Sequence, residues 1–132
     1  MISTRNIVTI LGLFVLVGCS TSGVATKPAT RAAVASLGPG FVSESVRVNE
    51  ATIHYVRGGA GPAVVLIHGF PQDWFAFHTI MPRLAAKFAV VAVDLRGVGG
   101  STMASGAYEP TTLAQDIHEL AGKLDLKPVY VV

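Results

Sequence analysis

Two short loops hold the residues of this chain best suited to chemistry. His68-Gly69-Phe70-Pro71 follows the apolar run Ala63–Ile67, and Asp94-Leu95-Arg96-Gly97-Val98-Gly99-Gly100-Ser101 follows the apolar run Ala89–Val93. In the first loop Gly69 permits tight backbone geometry, and Pro71 fixes the path while offering no N–H of its own. A loop of this kind can aim backbone N–H groups at one point. That suits a reaction in which negative charge develops on a carbonyl oxygen, where one lost donor costs about 3 kcal/mol. In the second loop, Asp94 and Arg96 admit two readings: a catalytic carboxylate with a substrate clamp, or buried charges that pair.

The other candidates are weaker. A G-x-G-x-x-G fingerprint starting at Gly97 would need glycine at 102, where Thr102 stands, and no G-x-x-x-x-G-K-[ST] occurs, so no phosphate-bearing cofactor is expected. His54 falls in a strand, and His78 and His118 fall in helices. None has metal-ligand spacing with a supporting carboxylate, so no metal is expected. Ser101 and Ser105 lack the G-x-S-x-G elbow that exposes a nucleophilic serine.

The elements around these loops read as an α/β domain over residues 41–132. Phe41–Val48 and Thr52–Arg57 are two strands at the edge of a sheet. Ala63–Ile67 and Ala89–Val93 are continuously apolar, as parallel strands buried on both faces are. Between them Phe77, Ile80, Met81, Leu84 and Phe88 recur at helical spacing, with Asp73 as N-cap and Pro82 as a kink or restart. After a Gly- and Ser-rich loop, Thr112-Leu113-Ala114-Gln115 predicts a capping-box start. Leu113, Ile117, Leu120, Ala121 and Leu124 then line the inner face, and Asp116, Glu119 and Lys123 the outer one. Val129–Val132 is a further strand. Strands alternating with amphipathic helices imply a parallel sheet, whose ligands sit at the carboxyl ends of its strands, where both loops lie.

The stretch before the domain has a different composition. Residues 1–40 carry Arg5, Lys27 and Arg31 and no acid, whereas residues 41–132 carry seven Lys/Arg and eight Asp/Glu. The basic balance thus belongs to the leader, and a nucleic-acid surface on the domain is not expected. Ile7–Val17 is an apolar run of eleven residues. As a helix it reaches about 16 Å, against the roughly 30 Å of a bilayer core, which is signal-peptide length. Leu16-Val17-Gly18-Cys19 resembles a bacterial lipobox, in which the cysteine is lipidated and the peptide cut before it. Cys19 is the sole cysteine, so no internal disulfide competes for it. The expected organisation is a signal peptide over 1–18, a lipid-anchored flexible linker over 19–40 and the domain over 41–132. The protein is thus expected to be exported and held at the membrane through lipid on Cys19.

His68-Gly69-Phe70-Pro71-Gln72-Asp73-Trp74 followed, one helix and one strand later, by Asp94-Leu95-Arg96-Gly97-x-Gly99-x-Ser101 resembles the α/β-hydrolase superfamily, and most closely its epoxide hydrolase and haloalkanoate dehalogenase branch. The resemblance covers 41–132 and implies the N-terminal third of such an enzyme, with strand order 1-2-4-3-5. It assigns the Phe70 N–H to the oxyanion hole, with His68 and Gly69 as loop supports. Phe70 and Trp74 would face the substrate pocket, Trp74 reading equally well as a core aromatic, and the Asp94–Gly97 turn would brace the sheet. It also implies a small hydrophobic substrate, an epoxide or halogenated compound, hydrolysed through a covalent ester. Nucleophile, acid and base would all follow Val132, so the chain as it stands is expected to be truncated before the nucleophile elbow, poorly stable and catalytically silent. A serine-nucleophile esterase of the same fold and a non-catalytic lipoprotein remnant are the alternatives.

Overall fold

The computed structural model describes residues 28–104, 106 and 108–132. Five strands form one mixed sheet: β1 (Val42–Val48), β2 (Ala51–Gly58), β3 (Ala63–Ile67), β4 (Ala89–Val93) and β5 (Val129–Val131), in the order β1-β2-β4-β3-β5. β1 pairs antiparallel with β2 and β2 antiparallel with β4, whereas β3 runs parallel to both β4 and β5. The architecture and the strand order are those expected. β1 is the edge and β2 the first inner strand, with Ile53, Tyr55 and Val56 buried.

Side-chain alternation along the inner strands builds two cores. Val56, Val64, Leu66, Val90 and Ala92 supply one face, which is covered by α1 (Pro28–Ser36), α2 (Met81–Ala85) and a 3-10 turn at Trp74–Phe77. Ile53, Tyr55, Val65, Val91 and Val93 supply the other, covered by Ile117 and Leu120 of α3 (Pro110–Lys123). The runs Ala63–Ile67 and Ala89–Val93 are apolar throughout because both of their faces are buried.

Four details differ from expectation. Within the stretch 19–40, expected to be a flexible linker, residues 28–36 form α1, and its Val34, with Leu37 just beyond, enters the first core. Two apolar side chains in an Ala-rich stretch suffice to dock one turn. The helical stretch after Asp73 is interrupted at Pro82 as expected, but its first part is not an α-helix. Asp73 does cap its start, accepting the Phe75 N–H at 2.9 Å, but only a 3-10 turn follows. Pro82 then restarts the chain as α2, since a proline suits a helix's first turn and not its interior. At α3 the expected capping box is absent. The helix opens earlier, with Pro110 in its first turn and Glu109 as a cap without a side-chain bond. Last, Asp116, expected on the outer face of α3, is 1% exposed.

One buried phenol gives a direct test of the second core. Tyr55 is 3% exposed, and its hydroxyl donates to Glu44 Oε2 at 2.9 Å. Burial, and then the bond to an anionic acceptor, push its pKa up to about 12. In a spectrophotometric titration of the folded chain, one tyrosine should ionise near pH 12. Because the folded value is the higher one, its stabilisation is complete below the unfolded phenol's pKa of about 10 and fades as pH rises towards 12.

Candidate active site

The loops leaving β3 and β4 meet at the carboxyl ends of these neighbouring strands, and His68 joins them. Its ring is buried, and Nε2 accepts the Leu95 N–H at 3.1 Å. A nitrogen that accepts carries no proton, so the proton sits on Nδ1, 3.2 Å from Gly69 O. His68 therefore has both ring nitrogens engaged in holding the loops and none free to move a proton. Gln72 N–H closes the turn onto Gly69 O at 2.8 Å. Gly69 itself lacks the positive φ expected of a glycine in a strained turn, and a Cβ there would meet no atom within 4 Å. What glycine provides at this position is open space in front of the loop. Phe70 is 96% exposed, and among the described residues its N–H has no acceptor.

Trp74, expected to face the pocket, is a core residue here. It is 4% exposed and packs with Val56, Leu66 and Met81 on the first face, its ring edge-on to Phe75 at 5.6 Å. The capped 3-10 turn rotates its indole inward, which spacing alone does not reveal.

Behind the loops lies a polar network centred on Asp94. The carboxylate is fully buried. Oδ1 accepts the Trp74 N–H at 2.8 Å, and Oδ2 accepts the Gly100 N–H at 2.7 Å and His54 Nδ1 at 2.8 Å. Burial pushes its pKa up, but the bonds from His54, Gly100 and Trp74 outweigh it and hold the carboxyl below its ordinary value. His54 Nε2 in turn lies 2.8 Å from Ser43 Oγ. Ser101 Oγ donates to Asp94 O at 2.6 Å and accepts the His54 N–H at 2.8 Å, so this hydroxyl ties the turn to β2. Ser105 lies outside the described residues.

Glycine is required where the turn folds over the carboxylate. Gly99 has φ +55° and a Cβ there would fall 2.2 Å from Asp94 Oδ2, while one at Gly100 would fall 2.6 Å from His54 Cγ. Arg96 turns to the second face of the sheet. Its guanidinium, 3% exposed, makes a bidentate pair with Asp116 of α3, Nε–Oδ2 at 2.6 Å and a terminal nitrogen to Oδ1 at 2.7 Å. Asn49 Nδ2 also donates to Asp116 Oδ1, at 2.7 Å, and the Asn49 N–H donates to Glu119 at 2.9 Å, so the β1–β2 turn, the second loop and α3 are pinned together.

Of the expected site residues, His68, Gly69 and Phe70 thus stand together at the end of β3, Trp74 lies beneath them in the core, and Cys19 lies outside the described residues. His54, Ser43 and Asp116 were not singled out as network members by the sequence. The available signal was the polar His54 inside the strand Ala51–Gly58 together with an Asp directly after the strand Ala89–Val93. His78 stacks on Phe75 at the surface and His118 is exposed. Among the described residues, no three His, Cys, Asp or Glu side chains converge as a metal site.

This arrangement can be set beside known proteins. Residues 62–132 match the family described as alpha/beta hydrolase fold, and the chain belongs to that family. Within it the chain falls in the branch of epoxide hydrolases and dehalogenases. It is 39% identical over 85 residues to the soluble epoxide hydrolase of Corynebacterium sp. strain C12, covering 64% of this chain and 30% of that protein. It is 40% identical over 98 residues to the fluoroacetate dehalogenase of a Burkholderia species, covering 70% and 32% respectively. A crystal structure of a variant of the haloalkane dehalogenase DatA from Agrobacterium tumefaciens superposes with a TM-score of 0.67 at 28% identity, over 74% of this chain and 34% of that one. The chain therefore spans about a third of the length of these relatives.

Proposed function

We propose that this chain forms the oxyanion-binding part of an exported, epoxide hydrolase-like enzyme. That enzyme opens an epoxide or displaces a halide from a small hydrophobic substrate through a covalent ester. The observation that carries this reading is the unpaired Phe70 N–H, presented at the carboxyl end of β3 by a loop whose histidine is locked to Leu95. When water attacks the ester intermediate, its carbonyl oxygen gains negative charge, and a fixed N–H stabilises that charge without reorganising. Gly69 leaves room for the oxygen to approach, and the exposed Phe70 ring supplies an apolar wall for the substrate. The polypeptide that makes up the other two-thirds of the relatives carries the nucleophile in this scheme. Lipid on Cys19 would hold the enzyme on the membrane, on the strength of the lipobox-like Leu16–Cys19.

Grafting residues 62–132 in place of the matching segment of the Corynebacterium epoxide hydrolase should preserve epoxide turnover to within about tenfold. A well-folded chimera without measurable turnover contradicts the proposal. For the anchor, Cys19→Ser should move the expressed protein from the membrane to the soluble fraction, and continued membrane attachment of the variant sinks that part of the reading.

A further inference from the structure

One constellation takes no part in the chemistry above. Ser43 lies on β1, separated by β2 and β4 from β3 and the Phe70 loop. Its Oγ is 2.8 Å from His54 Nε2, and His54 Nδ1 is 2.8 Å from Asp94 Oδ2. Burial is graded along the row: Asp94 is fully buried, His54 is 4% exposed and Ser43 is half-buried, so the serine end meets solvent. Because Asp94 is ionised and accepts from Nδ1, the His54 proton sits on Nδ1, and Nε2 is left to accept the Ser43 O–H. That tautomer is the one a general base needs. The base is also doubly anchored, since Asp94 is itself held by the Trp74 and Gly100 N–H groups. As the sheet's edge, β1 leaves alternate N–H groups without a ladder partner, so one of the Ser43 and Glu44 N–H groups points outward beside the hydroxyl.

We propose that Ser43, His54 and Asp94 form a nucleophilic site of their own, which reacts with small activated carboxylic esters. A nucleophile, a base within hydrogen-bond reach and a third group orienting the base define such a site by geometry, whatever their order in the chain. In the first step the Ser43 proton passes to His54 Nε2 while Oγ bonds to the ester carbonyl carbon. The C–O bond to the leaving group then breaks, and that group departs with the proton from Nε2, or as a phenolate with the proton going to solvent. Water, deprotonated by His54, releases the acid and restores Ser43. Asp94 touches no substrate and acts as a positioning residue.

Ser45 provides an internal control. It stands directly across from His54 in the β1–β2 register yet makes no side-chain hydrogen bond to it. The purified chain, its fold checked by near-UV circular dichroism, is treated with a fluorophosphonate, which phosphonylates an activated serine with loss of fluoride. The modified residue is then located by tandem mass spectrometry. Ser43 should be labelled at least tenfold faster than Ser45, and His54→Gln should bring its rate down to that of Ser45. Equal labelling of the two serines, or an unchanged rate at Ser43 in a folded His54→Gln variant, overturns the proposal. If His54→Gln does not fold, the comparison of the two serines decides alone. Either result leaves the reading of the Phe70 loop untouched.

Discussion

Replacing Asp94 with Ala should remove about 3–5 kcal/mol of folding stability, because the change leaves buried donors without their charged acceptor. The residue has no exposed surface, and three donors on three different segments converge on it: His54 of β2, Trp74 of the 3-10 turn and Gly100 of the second loop. For a domain of this size each kcal/mol corresponds to about 4–8 °C in Tm, so the variant should melt well over 10 °C lower. Asp94→Asn keeps the shape but turns an amide N–H₂ towards at least one donor, and should recover only part of the loss. Gly99→Ala tests the same carboxylate from outside, since its methyl would press on Oδ2 from a backbone with φ +55°. The pH dependence has a fixed sign. Asp94's folded pKa lies below that of the unfolded chain, about 3.9, so its stabilisation is complete above that value and is lost as pH falls through the folded one. The gap in stability between wild type and Asp94→Asn should therefore narrow below about pH 4 in acid denaturation followed by circular dichroism.

The second large effect belongs to the buried ion pair on the opposite side of the sheet. Asp116→Ala removes the bidentate carboxylate from a 3%-exposed guanidinium and the acceptor of the Asn49 amide, at an expected cost of about 3–5 kcal/mol in urea denaturation. Arg96→Ala should cost a similar amount. Replacing both residues with apolar ones of similar volume should cost much less than either single change, because what destabilises is the uncompensated charge and not the loss of the pair. Exposed pairs differ in kind. Arg57–Glu44 at 2.8 Å, with both side chains more than a third exposed, should contribute at most about 1 kcal/mol.

These two networks mark where the sequence stopped being legible. The strands Ala63–Ile67 and Ala89–Val93 were readable to the residue, because burial on both faces leaves an uninterrupted apolar run. The positions of the two loops followed from those strands, as did the bracing role of the Asp94 turn from its resemblance. Helical periodicity assigns Asp116 to the solvent face, and its partner Arg96 lies twenty residues earlier, beyond any local pattern. Sequence leaves Trp74 open between pocket and core, because its direction is set by a 3-10 turn that follows from Asp73 and from the restart at Pro82. His54 reads locally as a strand histidine, yet it joins Ser43 and Asp94 across strands that only tertiary pairing brings together. Contacts local in sequence were visible, and long-range polar pairing was not.

One backbone proton decides whether the loop after β3 binds the developing charge. In an active chimera carrying residues 62–132, Phe70 can be replaced by its α-hydroxy acid analogue, which turns the Phe70 amide N–H into an ester oxygen and keeps the side chain. The prediction is a fall in kcat of about 10²–10³-fold with little change in stability, the loss that accompanies removal of one oxyanion donor. A kcat within a factor of about three of the parent chimera would show that this N–H does not meet the developing charge, and would contradict the assignment of the loop.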